Sequence, residues 1–112
     1  MDRLLEFLVE NGITIRVSKP SNSEYGILYD LDPHTKSHMH VYDLGDVYRV
    51  EQRYDKVTFI DKSRSLDEQI DHLMELLVAG MHGRPFIDIT WKLLYLKETG
   101  IDLFDKSREN EK

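Results

Sequence analysis

The chain lacks cysteine, long apolar runs and a basic arm or half, and each absence excludes a class of protein. Without cysteine there are no disulfides, thiolate zinc sites or cysteine nucleophiles, so we expect a cytoplasmic protein. No apolar run approaches the roughly 18 residues of a membrane span, and no signal-peptide pattern opens the chain. The 15 Lys and Arg are outnumbered by 21 Asp and Glu, and this net charge of −6 disfavours direct nucleic-acid binding.

What the chain does contain is enough apolar sequence for one folded domain. Its 112 residues are 40% hydrophobic and 32% charged, which is typical of a globular domain with a core. We therefore predict a single domain over residues 1–104. Residues 105–112 are all polar or charged, and we expect them to form a frayed tail.

The first half of the chain indicates one helix followed by strands. Leu4, Leu5 and Leu8 share a stripe that predicts a short helix, and Asn11 with Gly12 ends it. Alternating apolar residues then predict strands near residues 13–17, 25–31, 38–43, 47–54 and 57–60. Because the connections between them are short, the pattern predicts an antiparallel meander of four or five strands.

The second half indicates two helices. Ser65 and Glu68 form a capping-box pattern before a helix over residues 66–81, whose apolar residues recur at helical spacing. A last helix is predicted over residues 86–98. The order of helix, antiparallel sheet and two helices predicts an α+β fold of two layers around one core.

The last predicted helix has two apolar stripes rather than one. One stripe contains Trp91 and is expected to face the core. The other contains Phe86, Ile89, Leu93 and Leu96. Since a helix that is apolar on two sides is usually buried on both, the second stripe is a candidate seam for a homodimer or a partner.

The helix over residues 66–81 also carries an uncompensated acidic face. Asp67, Glu68, Asp71 and Glu75 lie on it without any basic residue, so this face is expected to attract a basic protein surface. The turn that follows contains His82 and Arg84 between two glycines and a proline. This turn is interpreted either as a contact loop or as a simple connector between helices.

Three histidines give a second hypothesis for function, a metal site. His38 and His40 alternate on a predicted strand and so project from one face, and His34 lies just upstream. Imidazoles in such a group bind zinc or iron, so a small metal-binding protein or metal-dependent enzyme is the second hypothesis. No hydrolase elbow, phosphate loop or dinucleotide motif is present, and no residue set identifies a catalytic site or a cofactor.

A short, acidic, cysteine-free chain with this order of elements resembles small phage-encoded inhibitors of host proteins, in particular compact anti-CRISPR inhibitors of Cas9. The resemblance covers most of the chain and concerns architecture, without a shared motif, so it transfers no functional residue. It implies a non-catalytic protein that binds a host protein through an acidic face in the host cytoplasm. This is the preferred hypothesis for function.

Overall fold

The computed structural model describes residues 2–19, 26–35, 38–52, 56–80 and 88–104. These residues confirm the predicted α+β fold, with a helix, a five-stranded antiparallel sheet and two further helices. The elements in chain order are α1 (Arg3–Glu10), β1 (Ile15–Ser18), β2 (Leu28–Leu31), β3 (Met39–Asp43), β4 (Val47–Gln52), β5 (Lys56–Asp61), α2 (Leu66–Gly80) and α3 (Ile89–Thr99). No helix in these ranges is long and apolar enough to cross a membrane.

The sheet is a simple meander. Its strands are ordered β1-β2-β3-β4-β5, and every neighbouring pair is antiparallel. Strands that neighbour each other in sequence also neighbour each other in space, because each connection is too short for a crossover. This order leaves β1 and β5 at the two edges of the sheet.

One face of the sheet and three helices share a single core. The alternation of strand side chains places Met39 and Val41 on the buried face and His40 and Tyr42 on the other, as the sequence predicts. Trp91 from α3 is fully buried in this core. The other large, nearly inaccessible side chains are Leu5, Leu8, Ile13, Leu31, Met39, Tyr48, Val50, Ile60, Leu73 and Met74.

Both C-terminal helices begin at a polar cap. The amide of Glu68 donates to the Ser65 hydroxyl at 3.2 Å, which confirms the predicted start of α2. Asp88 accepts from the amide of Thr90 at 2.8 Å, so α3 begins at Ile89, three residues later than predicted. An aspartate cap satisfies an amide that has no partner within the helix, and this determines where the first turn forms.

Lys62 links the start of α1 to the sheet. Its Nζ lies 2.8 Å from Asp2 Oδ2 and 2.5 Å from Asp43 Oδ1, and 4.5 Å from the centre of the Tyr48 ring. The Tyr48 hydroxyl also donates to Asp2. Hydrogen bonds from Lys62 and then Tyr48 hold the pKa of Asp2 below its ordinary value. This cluster joins residues that lie far apart in the sequence.

Candidate functional site

An open groove runs between the edge strand β5 and helix α2. We call it the acidic groove. Its lining comes from the end of β5, the turn after it and one side of α2, and it comprises Phe59, Asp61, Arg64, Glu68, Asp71, His72 and Glu75.

The helical wall of the acidic groove follows from the spacing of α2. Glu68, Asp71, His72 and Glu75 occur at helix positions i, i+3, i+4 and i+7, so they form one stripe. A different stripe of the same helix buries its apolar residues in the core, and Leu73 is only 1% exposed. Burial of that stripe therefore fixes the rotation of α2 and turns the carboxylates toward the groove.

The groove carries an excess of negative charge. Its lining contains four carboxylates and one guanidinium. That guanidinium is paired with one of the four carboxylates, since Arg64 Nη1 lies 3.1 Å from Glu68 Oε2. Within the part of the chain that the structure describes, Asp71 and Glu75 have no ion-pair partner. Hydrogen bonds from Ser63 lower the pKa of Asp61, so this carboxylate stays ionised in mildly acidic solution.

Phe59 supplies the apolar part of the groove. It is 50% exposed although it sits on a strand of a folded domain, while its neighbour Ile60 is 1% exposed. The alternation of β5 places Phe59 on the face of the sheet away from the core. Sequence reasoning missed Phe59 and Asp61 because the alternation does not reveal which element lies beside β5.

The structure brings together three of the four acidic residues predicted on α2. All four are exposed, but Asp67 lies outside the groove lining, whereas Glu68, Asp71 and Glu75 line it. The predicted contact residues His82 and Arg84 lie outside the described residues.

The sheet face away from the core carries a second polar group, centred on Asp30. This residue is 6% exposed and accepts from Arg16 Nη2 at 3.0 Å. Its other oxygen, Oδ1, is buried without a hydrogen bond and lies 3.7 Å from His40 Nε2. The pairing register places Asp30 opposite both Arg16 and His40, so the contact follows directly from strand alignment.

The predicted histidine group is only partly assembled. The rings of His38 and His40 lie 5.6 Å apart, and His38 Nδ1 is 3.1 Å from the Thr35 carbonyl oxygen. His34 is exposed on the turn after β2. Among the described residues, no three His, Asp or Glu side chains are arranged to hold a metal ion. The metal-site hypothesis therefore has no set of ligands to support it here.

The second apolar stripe of α3 is largely exposed to solvent. Ile89 is 64% exposed and Leu93 is 54% exposed, one helical turn apart, whereas Leu96 is half-buried. Phe86 is not among the described residues. Within this chain only the stripe of α3 that contains Trp91 is buried, so the second stripe does not lie deep in the fold and stays a predicted seam for a homodimer or a partner.

Comparison of the chain with protein-family models, with curated proteins and with solved structures found no match. The resemblance to phage-encoded inhibitors is therefore still a prediction from architecture, and the site must be interpreted from its own chemistry.

Proposed function

We propose that this chain is a non-catalytic binding protein that receives a basic surface of a protein partner in its acidic groove. The observation that carries the proposal is the groove itself, in which Asp71 and Glu75, which have no ion-pair partner among the described residues, lie beside the half-exposed ring of Phe59. Carboxylates attract a cationic partner, and an exposed aromatic ring gives that partner an apolar contact.

The balance of charge favours a protein partner with Lys or Arg side chains. Asp71 and Glu75 are exposed and four residues apart, so one partner side chain can approach both. Phe59, on the face of β5 away from the core, offers an apolar surface to a neighbouring residue of the same partner. In the manner of the phage-encoded inhibitors that it resembles, we infer that the chain acts in the cytoplasm of a host by occupying a basic surface of a host protein.

The test is comparative capture from an extract of cells that express the protein. The groove variant carries Asp71→Lys and Glu75→Lys. The control variant carries Glu6→Lys and Glu10→Lys, which reverses two exposed acids at the same spacing on α1. Both variants change the net charge by +4, so only the position of the change differs.

We expect the wild type and the control variant to retain one common protein, quantified by mass spectrometry, and the groove variant to retain at least tenfold less of it. Circular dichroism must show that both variants are folded. Equal retention by all three proteins would refute the proposal. It would also direct attention to the exposed Ile89 and Leu93 of α3, where we propose a homodimer seam as the competing contact.

A further inference from the structure

Strand β5 lies at an edge of the sheet, and the hydrogen bonds of the sheet show which of its backbone groups face outward. The amide of Lys62 donates to the carbonyl of Asp46 on β4 at 3.1 Å. Hydrogen-bonded pairs alternate along an antiparallel ladder, so the pairs at every second residue from Lys62 are also bonded. The N–H and C=O groups of Ile60 and Thr58 therefore point toward β4.

The backbone groups of the intervening residues point away from the sheet. These residues are Val57 and Phe59, and each offers one N–H and one C=O on the outer edge. Within the described ranges neither residue's outward groups have a hydrogen-bond partner. The carbonyl of Asp61, farther along, accepts weakly from the amide of Arg64 at 3.4 Å. The free stretch of edge is thus centred on Val57 and Phe59.

The middle of this edge, between Lys56 and Asp61 at the two ends of β5, lacks the features that usually prevent a strand from pairing with another chain. Exposed edges are normally interrupted by charges, prolines or bulges. Residues 57–60 read Val-Thr-Phe-Ile and contain none of these, and the β4–β5 register is unbroken from Val47 to Gln52. The side chains of Val57 and Phe59 are 39% and 50% exposed on the same face.

The edge and the acidic stripe of α2 belong to the same groove, since Phe59 lines it together with Asp71 and Glu75. We propose that an extended, basic segment of the partner protein adds to β5 as a sixth, antiparallel strand. This inference rests on the proposed function and names the mode of binding. Main-chain hydrogen bonds would supply affinity, and the carboxylates would select the sequence, as in other complexes formed by strand addition.

The geometry also specifies the pattern of the bound segment. Side chains on an added strand alternate between the two faces of the sheet. Side chains of the added strand that lie on the same face as Val57 and Phe59 meet apolar groups. Side chains of the added strand on the opposite face, where α2 packs, meet Asp71 and Glu75. The segment therefore alternates apolar residues with Lys or Arg. In an antiparallel pair the residues bonded to Val57 and Phe59 are the apolar ones, because bonded residues share a face.

The experiment uses synthetic peptides that alternate Lys with Val, so that the protein itself stays unaltered. One isomer carries methyl groups on the backbone nitrogens of its Val residues, and the other carries them on the backbone nitrogens of its Lys residues. Each methyl group removes an N–H donor, but only on one edge of the extended peptide. Binding to the full-length protein is measured by fluorescence anisotropy at low ionic strength.

We expect the Lys-methylated isomer to bind within threefold of the unmodified peptide and the Val-methylated isomer to bind at least tenfold more weakly. Hydrogen exchange should show that the amides of Val57 and Phe59 become protected when the unmodified peptide binds. Equal affinity of the two isomers, no protection of these amides, or no binding of the unmodified peptide would each overturn strand addition.

The groove variant D71K/E75K separates this inference from the proposed function. If D71K/E75K weakens peptide binding while the two methylated isomers bind alike, the acidic groove binds basic chains without strand pairing, so only strand addition fails. If the capture experiment is insensitive to D71K/E75K, the proposed function fails as well. The control variant E6K/E10K should bind each peptide as the wild type does.

Discussion

Replacement of Lys62 by methionine tests whether the polar cluster at the start of α1 stabilises the fold. Charge-assisted hydrogen bonds contribute about 1.5–3 kcal/mol where water is largely excluded, whereas exposed ion pairs contribute about 0.2–1 kcal/mol. The Lys62 and Asp43 side chains are 20% and 25% exposed, so we expect the energy of their hydrogen bond to fall near the first range. Asp2 is 48% exposed, so we expect the energy of its pair with Lys62 to fall near the second range. We expect Lys62→Met to lower the free energy of unfolding by about 2 kcal/mol at pH 7.

The effect of Lys62→Met should also depend on pH. The pKa of Asp2 is lowered in the folded protein, so its stabilising contribution is complete above its ordinary pKa and is lost as the pH falls through the lowered value. Denaturant unfolding of wild type and variant should therefore differ by about 2 kcal/mol at pH 7, and this difference should shrink by up to about 1 kcal/mol, the contribution of the exposed Asp2 pair, as the pH falls through the lowered pKa of Asp2.

The matched control for Lys62→Met is Arg64→Met, which removes an exposed i,i+4 pair and should cost only about 0.3–0.5 kcal/mol. A loss below about 0.5 kcal/mol for Lys62→Met would show that the cluster does not stabilise the fold, and a loss that stays constant as the pH falls would show that the Asp2 pair contributes nothing to it.

Three further predictions concern the core, a buried carboxyl and metal content. Leu73→Ala should destabilise the fold by about 2–5 kcal/mol in denaturant unfolding, since Leu73 is 1% exposed, and a cost below 0.5 kcal/mol would contradict its burial. Burial raises the pKa of Asp32, so the contribution of this carboxyl to the free energy of unfolding falls as the pH rises through that pKa. Asp32→Asn should remove this pH dependence. Parallel curves of the free energy of unfolding against pH for variant and wild type, between pH 3 and 7, would contradict this prediction. Tag-free protein is predicted to contain no stoichiometric zinc or iron by elemental analysis. Stoichiometric metal in the wild type that is absent from the double variant His38→Ala with His40→Ala would instead support the metal-site hypothesis.

The sequence predicts most of the fold because local patterns and tertiary burial agree. The capping pair Ser65 and Glu68 and the apolar stripe of α2 each indicate the same helix, and the structure confirms both. The apolar pattern predicts the start of α3 too early because that pattern continues upstream of the N-cap Asp88. Asp88 ends that continuation by accepting from the amide of Thr90, a local bond that hydrophobic spacing does not reveal.

The candidate site could be predicted only in part, because half of it depends on how elements pack. The acidic stripe of α2 is visible in the sequence, since its carboxylates have no basic neighbours on the helix. The opposite wall, with Phe59 and Asp61, forms only when the turn after β5 returns the chain alongside that strand. The contact between Asp30 and His40 likewise depends on strand register, which the sequence between the strands does not specify.

The rate of association with a basic ligand tests the acidic groove most directly. The unmodified Lys-Val peptide, or the captured partner once it is purified, is mixed with wild type, groove variant and control variant in stopped flow. Salt screens exposed charges over about 8 Å at physiological ionic strength, so the contribution of Asp71 and Glu75 should be largest at low salt. We predict that D71K/E75K slows association at least tenfold at low salt, that this difference shrinks as salt is added, and that E6K/E10K changes the rate by less than threefold. Equal association rates for D71K/E75K and E6K/E10K at low salt would contradict the account.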